Sequence, residues 1–283
     1  MKESEFLVLG YPQCQILMLD LEFAQFSDPG KIRKKNEDYL GHVVPASLAQ
    51  VRTQGWLFAL ADGVSGHDRG EIASRIAVEC VLAGFRGVPG RGVHTVLLPR
   101  LVQAANVRIY ETGLKSKQPG AAMATTIVLC ALRFDRAVVS HVGDSRCYII
   151  RRGRPTLLTR DHTVADEQVR SGELTEREAA ELPTRHVLSR SLGNNLVVGV
   201  DTSDHQIHAG DVLLLCSDGL HGAVPPKEMA RIVSHAADLS VAAQDLAAVA
   251  NDRDGSDNIS IQLVRIRGVE RMGLTRGRSL KLH

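Results

Sequence analysis

Leu57-Phe58-Ala59-Leu60-Ala61-Asp62-Gly63 is an apolar run that rises to a single carboxylate and stops at a glycine. A short apolar run closed by a turn signal reads as a strand buried on both faces. A carboxylate at the end of such a strand is costly unless something cationic receives it. The construction recurs far away as Val212-Leu213-Leu214-Leu215-Cys216-Ser217-Asp218-Gly219, and slightly altered as Ala137-Val138-Val139-Ser140-His141-Val142-Gly143-Asp144. Two readings are open. Either each Asp caps its own turn, or distant parts of the chain carry carboxylates to one place.

Around these runs the chain has an ordinary soluble composition. Its 283 residues suffice for one large domain or two ordinary ones, with 44% hydrophobic and 23% charged residues. A formal net charge of +2 gives no electrostatic case for nucleic acid. The five cysteines (Cys14, Cys80, Cys130, Cys147, Cys216) are odd in number, widely spaced and set among apolar residues. That pattern predicts reduced core thiols in a cytoplasmic protein, not a disulfide framework. No stretch approaches the ~18 consecutive apolar residues of a membrane span. Met1-Lys2-Glu3-Ser4-Glu5 lacks the basic start of a signal peptide.

Read in order, residues 6–9 and 14–23 are extended segments, and Ser27-Asp28-Pro29-Gly30 is a turn. Lys31-Ile32-Arg33-Lys34-Lys35-Asn36-Glu37-Asp38 packs four cations before two acids, the pattern of a solvated loop or of a binding loop. Ile72, Ile76, Val78, Val81 and Leu82 form one face of a helix over 71–85, and Leu97, Leu101, Ala104, Ala105 and Ile109 one over 93–112. Residues 126–134, 137–142 and 147–151 are short strands, and Arg151-Arg152-Gly153-Arg154-Pro155 is a hairpin turn. Residues 163–190 return to helical spacing inside a β-rich region and read as an inserted flap. Within it Thr175-Glu176-Arg177-Glu178 fits a capping box, and Pro183 ends the helix. A strand over 210–217, helices over 226–235 and 240–251 and a strand over 258–266 follow. Beyond them residues 267–283 form a basic tail expected to be loose. Strands and helices arrive in blocks, which predicts an α+β fold and argues against βαβ alternation.

The acids at strand ends and glycine turns are Glu37, Asp38, Asp62, Asp144, Asp218 and Asp257. Oxygen ligands of this kind suit hard cations such as Mg²⁺ and Mn²⁺. Zinc is disfavoured, because neither a CxxC pair nor HExxH is present. Carboxylates that converge would hold two cations a few ångström apart, an arrangement suited to attack of a metal-activated water on phosphorus. Gly63-Val64-Ser65-Gly66-His67 only imitates a nucleophile elbow, since its second glycine falls one place early. Neither a P-loop nor a dinucleotide-binding GxGxxG occurs.

In this order the motifs resemble the metal-dependent protein phosphatases of the protein phosphatase 2C family, in wording close to its bacterial branch. They are Arg33-x-x-Asn36-Glu37-Asp38, Ala61-Asp62-Gly63-x-x-Gly66-His67-x-x-Gly70-Glu71, Thr125-Thr126, Val142-Gly143-Asp144-Ser145-Arg146, Ser217-Asp218-Gly219-Leu220 and Asp257-Asn258. The likeness spans residues 23–266, with residues 1–22 expected to pack on the domain as strands. It implies a four-layer αββα sandwich with metals at one end and hydrolysis of phosphoserine and phosphothreonine in proteins with Mn²⁺ or Mg²⁺. By position Asp62 would bridge two ions and the Gly63 carbonyl would ligate one. Asp218 and Asp257 would complete one site, and Glu37 would bind the other ion with Asp38 holding its water. Asp144 matches the position that helps hold a third, weaker metal. Arg33 would grip the substrate phosphate through a bidentate fork.

The chain departs from its relatives at several positions. Val64 stands where some carry a histidine acid, which moves that role to His67. Ser65 and Ala124 replace glycines, and Gly222 stands where an acid often supports the third metal. The implied partners are phosphorylated proteins and an opposing serine/threonine kinase, with no nucleic acid or membrane. A phosphatase-like binding module without turnover would show loss of the metal acids, and all the core ones are present. Hydrolysis of small phosphate esters is a third reading.

Overall fold

The computed structural model describes residues 15–64, 69–88, 92–115, 123–275 and 278–281. Residues 6–9, Ser65 and His67 lie outside the described residues.

The strand that opens the sequence reading is β3 (Trp56–Ala61), and all six of its residues are buried. It lies between β2 (Tyr39–Val43) and β4 (Ile127–Arg133), followed outward by β5 (Arg136–Val142) and β8 (Asp201–Gln206). The second sheet runs β1 (Gln15–Asp28), β10 (Ile259–Thr275), β9 (Val212–Cys216), β6 (Arg146–Arg151) and β7 (Arg154–Leu157). Every pairing is antiparallel. Successive side chains of a strand face opposite ways, and β3 fills two cores by that rule. Trp56, Phe58 and Leu60 meet Val128, Cys130, Cys147, Leu213 and Leu215 between the sheets. Leu57, Ala59 and Ala61 meet the helices α2 (Gly70–Gly87) and α3 (His94–Leu114). On the far side α7 (Pro226–His235) and α8 (Leu239–Arg253) cover Tyr148, Val212, Leu214 and Ile261. The order is helices, sheet, sheet, helices, the α+β sandwich expected. Continuous apolar runs are the signature of strands covered on both faces, and each fully buried Leu or Phe contributes roughly 1.5–3 kcal/mol.

Three smaller elements complete the fold. Helix α1 (Leu48–Thr53) is capped by the Ser47 side chain. Between β7 and β8 lie α4 (Val164–Ser171) and α5 (Glu176–Glu181), the latter opened by the capping box of Thr175 and Glu178. Helix α6 (Asp218–His221) follows β9 directly. The remaining residues of the 163–190 segment are not helical, and its two ends are joined by a Thr163–Leu188 bridge.

Past Gly268, where composition predicts a loose tail, the backbone differs. β10 continues to Thr275, and β11 (Arg278–Lys281) folds back on it. Pairing is the reason. β1 offers a partner of nearly equal length, from Asp28↔Ile259 to Gln15↔Gly273, with one irregularity at Asp20/Leu21 that absorbs the mismatch. No helix among the described residues is long and apolar enough to cross a membrane.

Candidate metal centre

The strand registers bring the acids to one end of both sheets. β3 ends at Ala61, opposite Tyr39 of β2, so Asp62 and Asp38 stand side by side at the edge. Val142, the last residue of β5, pairs with Ile127, the first of β4, which puts Asp144 at that same edge. In the other sheet Cys216 pairs with both Ile261 and Arg146, so Asp218 leaves β9 where β10 and β6 begin. Asp257 lies just ahead of β10. Five segments far apart in sequence thus deliver their carboxylates to one place.

Local bonds fix each acid. Asp62 donates its N–H to Thr126 Oγ1 at 3.0 Å, and its carbonyl accepts from Thr125 Oγ1 at 2.7 Å and from the Thr126 N–H at 2.8 Å. Thr126 Oγ1 in turn lies 2.7 Å from Ser145 Oγ, tying the Asp62 turn to the Asp144 turn. Gly63 donates its N–H to the Glu37 carbonyl at 3.1 Å. A Cβ on Gly63 would meet the Gly70 backbone at 2.5 Å and the Glu37 carbonyl at 2.8 Å, so only glycine admits this approach. Asn258 organises the loop before β2. It accepts the Glu37 N–H at Oδ1 (2.8 Å) and donates through Nδ2 to the carbonyls of Pro29 and Lys35, each at 2.9 Å.

Arg33, Asp62, Val64, Thr126, Asp144, His186, Leu188, Asp218 and Asp257 line a cleft of about 220 Å³. Arg33 reaches it from the basic loop, with Nη2 donating to Asp257 Oδ2 at 2.8 Å and Nε to the Ser256 carbonyl at 3.2 Å. Its neighbours do solvated work: Lys31 pairs with Asp252 and Lys35 with Glu71 on the surface. Glu37 stands beside the cleft, where a Cβ on Gly70 would come within 3.2 Å of its Oε1. The structure therefore brings together Arg33, Glu37, Asp38, Asp62, Gly63, Asp144, Asp218 and Asp257. His67 lies outside the described residues.

The electrostatics are those of a cluster awaiting positive charge. Burial pushes Asp38 up to about 7, and the Asp218 charge adds to the rise. Asp62 stands well above the usual carboxylate range through burial and the charges of Asp38, Asp218, Asp144 and Asp257. Burial raises Asp144 and Asp218 in the same way, and Glu37 is raised by burial against the pull of Arg33. Asp38 Oδ1 and Asp218 Oδ1 are buried without a hydrogen-bond partner among the described residues. A buried acceptor left bare costs ~1–3 kcal/mol, more for a charged one. Bare, mutually repelling oxygens are what a divalent cation with oxygen preference would satisfy, and the donor set fits Mn²⁺ or Mg²⁺.

Two features escape a reading of the sequence. His186 enters the cleft from the 163–190 segment, and no metal-ligand spacing in the sequence flags it. Behind the Asp144 turn, the buried His162 accepts the Gly143 N–H at Nδ1 (3.1 Å), and its Nε2 lies 3.2 Å from Asp201 Oδ2. Arg190 holds the other Asp201 oxygen at 3.0 Å. Burial and the stacked His141 ring lower His162 to about 4, so it sits there as a neutral tie. The Asp-His pair at positions 161–162 was the available signal, but a histidine after an aspartate reads equally as a loop.

Residues 34–252 match the family model described as Protein phosphatase 2C. The protein phosphatase PhpP of Streptococcus pneumoniae is 31% identical over 246 residues, covering 86% of this chain and 97% of that protein. A serine/threonine phosphatase structure from S. agalactiae superposes with a TM-score of 0.79 at 32% identity, covering 87% of this chain and all of the other. The catalytic domain of the serine/threonine protein phosphatase PstP, solved in complex with two manganese ions, gives a TM-score of 0.72 at 29% identity over 87% of this chain and 97% of that one. With the acids gathered as the structure gathers them and the match extending over most of its length, this chain belongs to the protein phosphatase 2C family.

Proposed function

We propose that the chain hydrolyses phosphoserine and phosphothreonine in proteins with Mn²⁺ or Mg²⁺ held by its clustered carboxylates. One observation carries this reading: acids from four segments line a single cleft beside an arginine, and Asp218 in it and Asp38 next to Asp62 each keep a bare buried oxygen. In this reading Asp62, the Gly63 carbonyl, Asp218 and Asp257 would hold metal at the cleft, and Glu37 and Asp38 would serve a second ion beside them. The ions, when bound, supply a water of lowered pKa and neutralise phosphoryl charge.

The chain's own groups do the rest. Arg33, braced by Asp257 and the Ser256 carbonyl, presents a planar fork to the substrate phosphate. Asp38 accepts from the buried Ser217 hydroxyl, so one of its oxygens is fixed and the other is turned free. Thr126, bonded at once to the Asp62 and Ser145 turns, sets the spacing of their carboxylates. We assign proton donation to the leaving alcohol to His67 by its place in the motif. The 163–190 segment, as a flap beside the cleft, would help choose the substrate, and the activity would oppose a serine/threonine kinase. Free thiols at Cys80, Cys130, Cys147 and Cys216 support a reducing, cytoplasmic setting.

The test is hydrolysis of a phosphothreonine peptide with Mn²⁺, with and without chelator. Turnover should vanish with chelator and in Asp62→Ala and Asp218→Asn. Activity that survives any of these removes the mechanism.

A further inference from the structure

Three consecutive residues ahead of β10 hold Arg33, and each holds a different part of it. The Ser256 carbonyl accepts Nε at 3.2 Å and Asp257 Oδ2 accepts Nη2 at 2.8 Å, which fixes the head of the side chain. Asn258 holds the backbone on which that side chain is mounted. Its Nδ2 donates to the Pro29 and Lys35 carbonyls, each at 2.9 Å, and its Oδ1 accepts the Glu37 N–H at 2.8 Å. The residue is only 4% exposed.

The 29–37 segment needs such a clamp. It contains no helix or strand, so no ladder of backbone bonds sets its course. Before Arg33, the N–H groups of Lys31 and Ile32 reach the Gly255 carbonyl at 2.8 and 3.3 Å. After Arg33, the next backbone tie among the described residues is the Lys35 carbonyl on Asn258. Arg33 thus rides on a span pinned at one end by Gly255 and at the other by Asn258. One acceptor and two donors on so short a side chain are what a primary amide supplies, whereas an ionised aspartate offers acceptors only and alanine nothing. The Asn258 N–H also donates to Asp257 Oδ1 at 2.9 Å, which turns Oδ2 toward Arg33. Clamp and brace are parts of one turn.

We infer that Asn258 is a positioning residue for phosphate recognition, setting the fork of Arg33 in the cleft by pinning the loop that carries it. This rests on the reading of Arg33 as the grip on the substrate phosphate given above. A bidentate contact demands a fixed plane and tolerates little misplacement. An arginine on an unpinned loop loses phosphate affinity in the ground state and the transition state alike, so the loss falls on KM more than on kcat.

The experiment uses the full chain loaded with Mn²⁺ and a double-mutant cycle of Asn258→Ala with Arg33→Ala. It reads kcat and KM on a phosphothreonine peptide, and the affinity for inorganic phosphate by titration calorimetry, which needs no turnover. Asn258→Ala should lower both kcat/KM and phosphate affinity by about 10-fold, the worth of one hydrogen bond to a charged group. In the Arg33→Ala background it should change either by less than about 2-fold, because the group it positions is gone. The ion count per chain at saturating Mn²⁺ should hold. Asn258→Asp keeps the Glu37 tie and loses both carbonyl ties. It should show the same dependence on Arg33, and it carries the test if Asn258→Ala does not fold. Equal losses in the two backgrounds, or a loss that follows the ion count, would assign Asn258 to the fold or to the metal ligands and overturn the inference. If that happens while chelator-sensitive hydrolysis remains, the positioning role alone is lost. If the unmodified chain shows no such hydrolysis, the proposed function falls, and the phosphate titration still decides the role of Asn258.

Discussion

Ser217 donates its hydroxyl to Asp38 Oδ2 at 2.8 Å, joining residues 179 positions apart, and Ser217 Oγ in turn accepts the Ser260 N–H at 2.9 Å. One buried hydroxyl thus orients a candidate ligand and satisfies a backbone donor of β10. Ser217→Ala leaves that N–H bare and Asp38 with less support. The expected loss of stability is about 1–3 kcal/mol, measured by urea unfolding in excess chelator. Mn²⁺ affinity should fall as well, because a carboxylate without its donor is harder to ionise.

The raised carboxylates make metal binding and stability depend on pH in a defined sense. Asp38, ordinarily near 3.8, is pushed up to about 7, and Asp62, Asp144 and Asp218 are raised too. A group whose folded pKa exceeds its unfolded value contributes stability at low pH and loses it as pH climbs through the folded pKa. Chelated protein therefore loses this contribution between about pH 4 and 7. A bound cation keeps the same groups ionised and removes the loss. The buried His94, His162 and His221, lowered to about 4, 4 and 3, act in the opposite direction but equally in both forms. The stabilisation by Mn²⁺ relative to chelator should grow from pH 5 to 7.5, by about 1.4 kcal/mol per pH unit for each linked proton. Paired urea titrations at several pH values read it directly, and a flat difference would show that the carboxylates do not titrate with folding.

These relations show how much the sequence discloses. β3 and β9 are legible because strands covered on both faces must be apolar throughout, and each Asp is conspicuous against its run. The opposite holds for β8, Asp-Thr-Ser-Asp-His-Gln, an edge strand whose half-exposed side chains leave no pattern to read. Short β2 is hidden for a similar reason, since its first four residues are only partly buried. That the acids share one end follows from the registers, and those registers pair residues 15 to 70 positions apart, beyond any local window of sequence. His186 was invisible because its proximity to Asp144 and Asp218 comes from a loop that folds back between Thr163 and Leu188. Residue type and spacing carry no trace of that closure. The strand beyond Gly268 depends likewise on β1, a partner at the other end of the chain.

Arg33 is braced on two edges, with Nη2 on Asp257 at 2.8 Å and Nε on the Ser256 carbonyl at 3.2 Å, leaving Nη1 uncommitted among the described residues. A lysine has one ammonium and cannot both brace itself and present a fork. Arg33→Lys should therefore lower kcat/KM on a phosphothreonine peptide by about 10- to 100-fold, the equivalent of one charged hydrogen bond. The ion count per chain should hold, since the carboxylates are untouched. Steady-state kinetics beside metal analysis separate the two effects, and an equal loss of metal would assign Arg33 to the centre's assembly instead.

Gly143 sets the turn that carries Asp144, with φ at +102°. An added Cβ would meet Thr126 Cγ2 at 2.6 Å and Thr126 Cβ at 2.7 Å. Thr126 cannot yield freely, because its hydroxyl is bonded to the Asp62 N–H and to Ser145. Gly143→Ala thus imposes two costs, a strained backbone worth about 1–2 kcal/mol and a steric push transmitted to both the Asp62 and Asp144 turns. The two can be separated. Thr126→Ser removes Cγ2 and keeps the hydroxyl, so in the Gly143→Ala background it should relieve the 2.6 Å contact and leave both the 2.7 Å contact with Cβ and the backbone cost. The double variant should therefore sit at least about 1–2 kcal/mol below Thr126→Ser in urea unfolding, with Mn²⁺ affinity partly restored. If Thr126→Ser recovers nothing, the Cγ2 contact is not what disturbs the Asp144 turn, and the cost lies in φ and the Cβ contact.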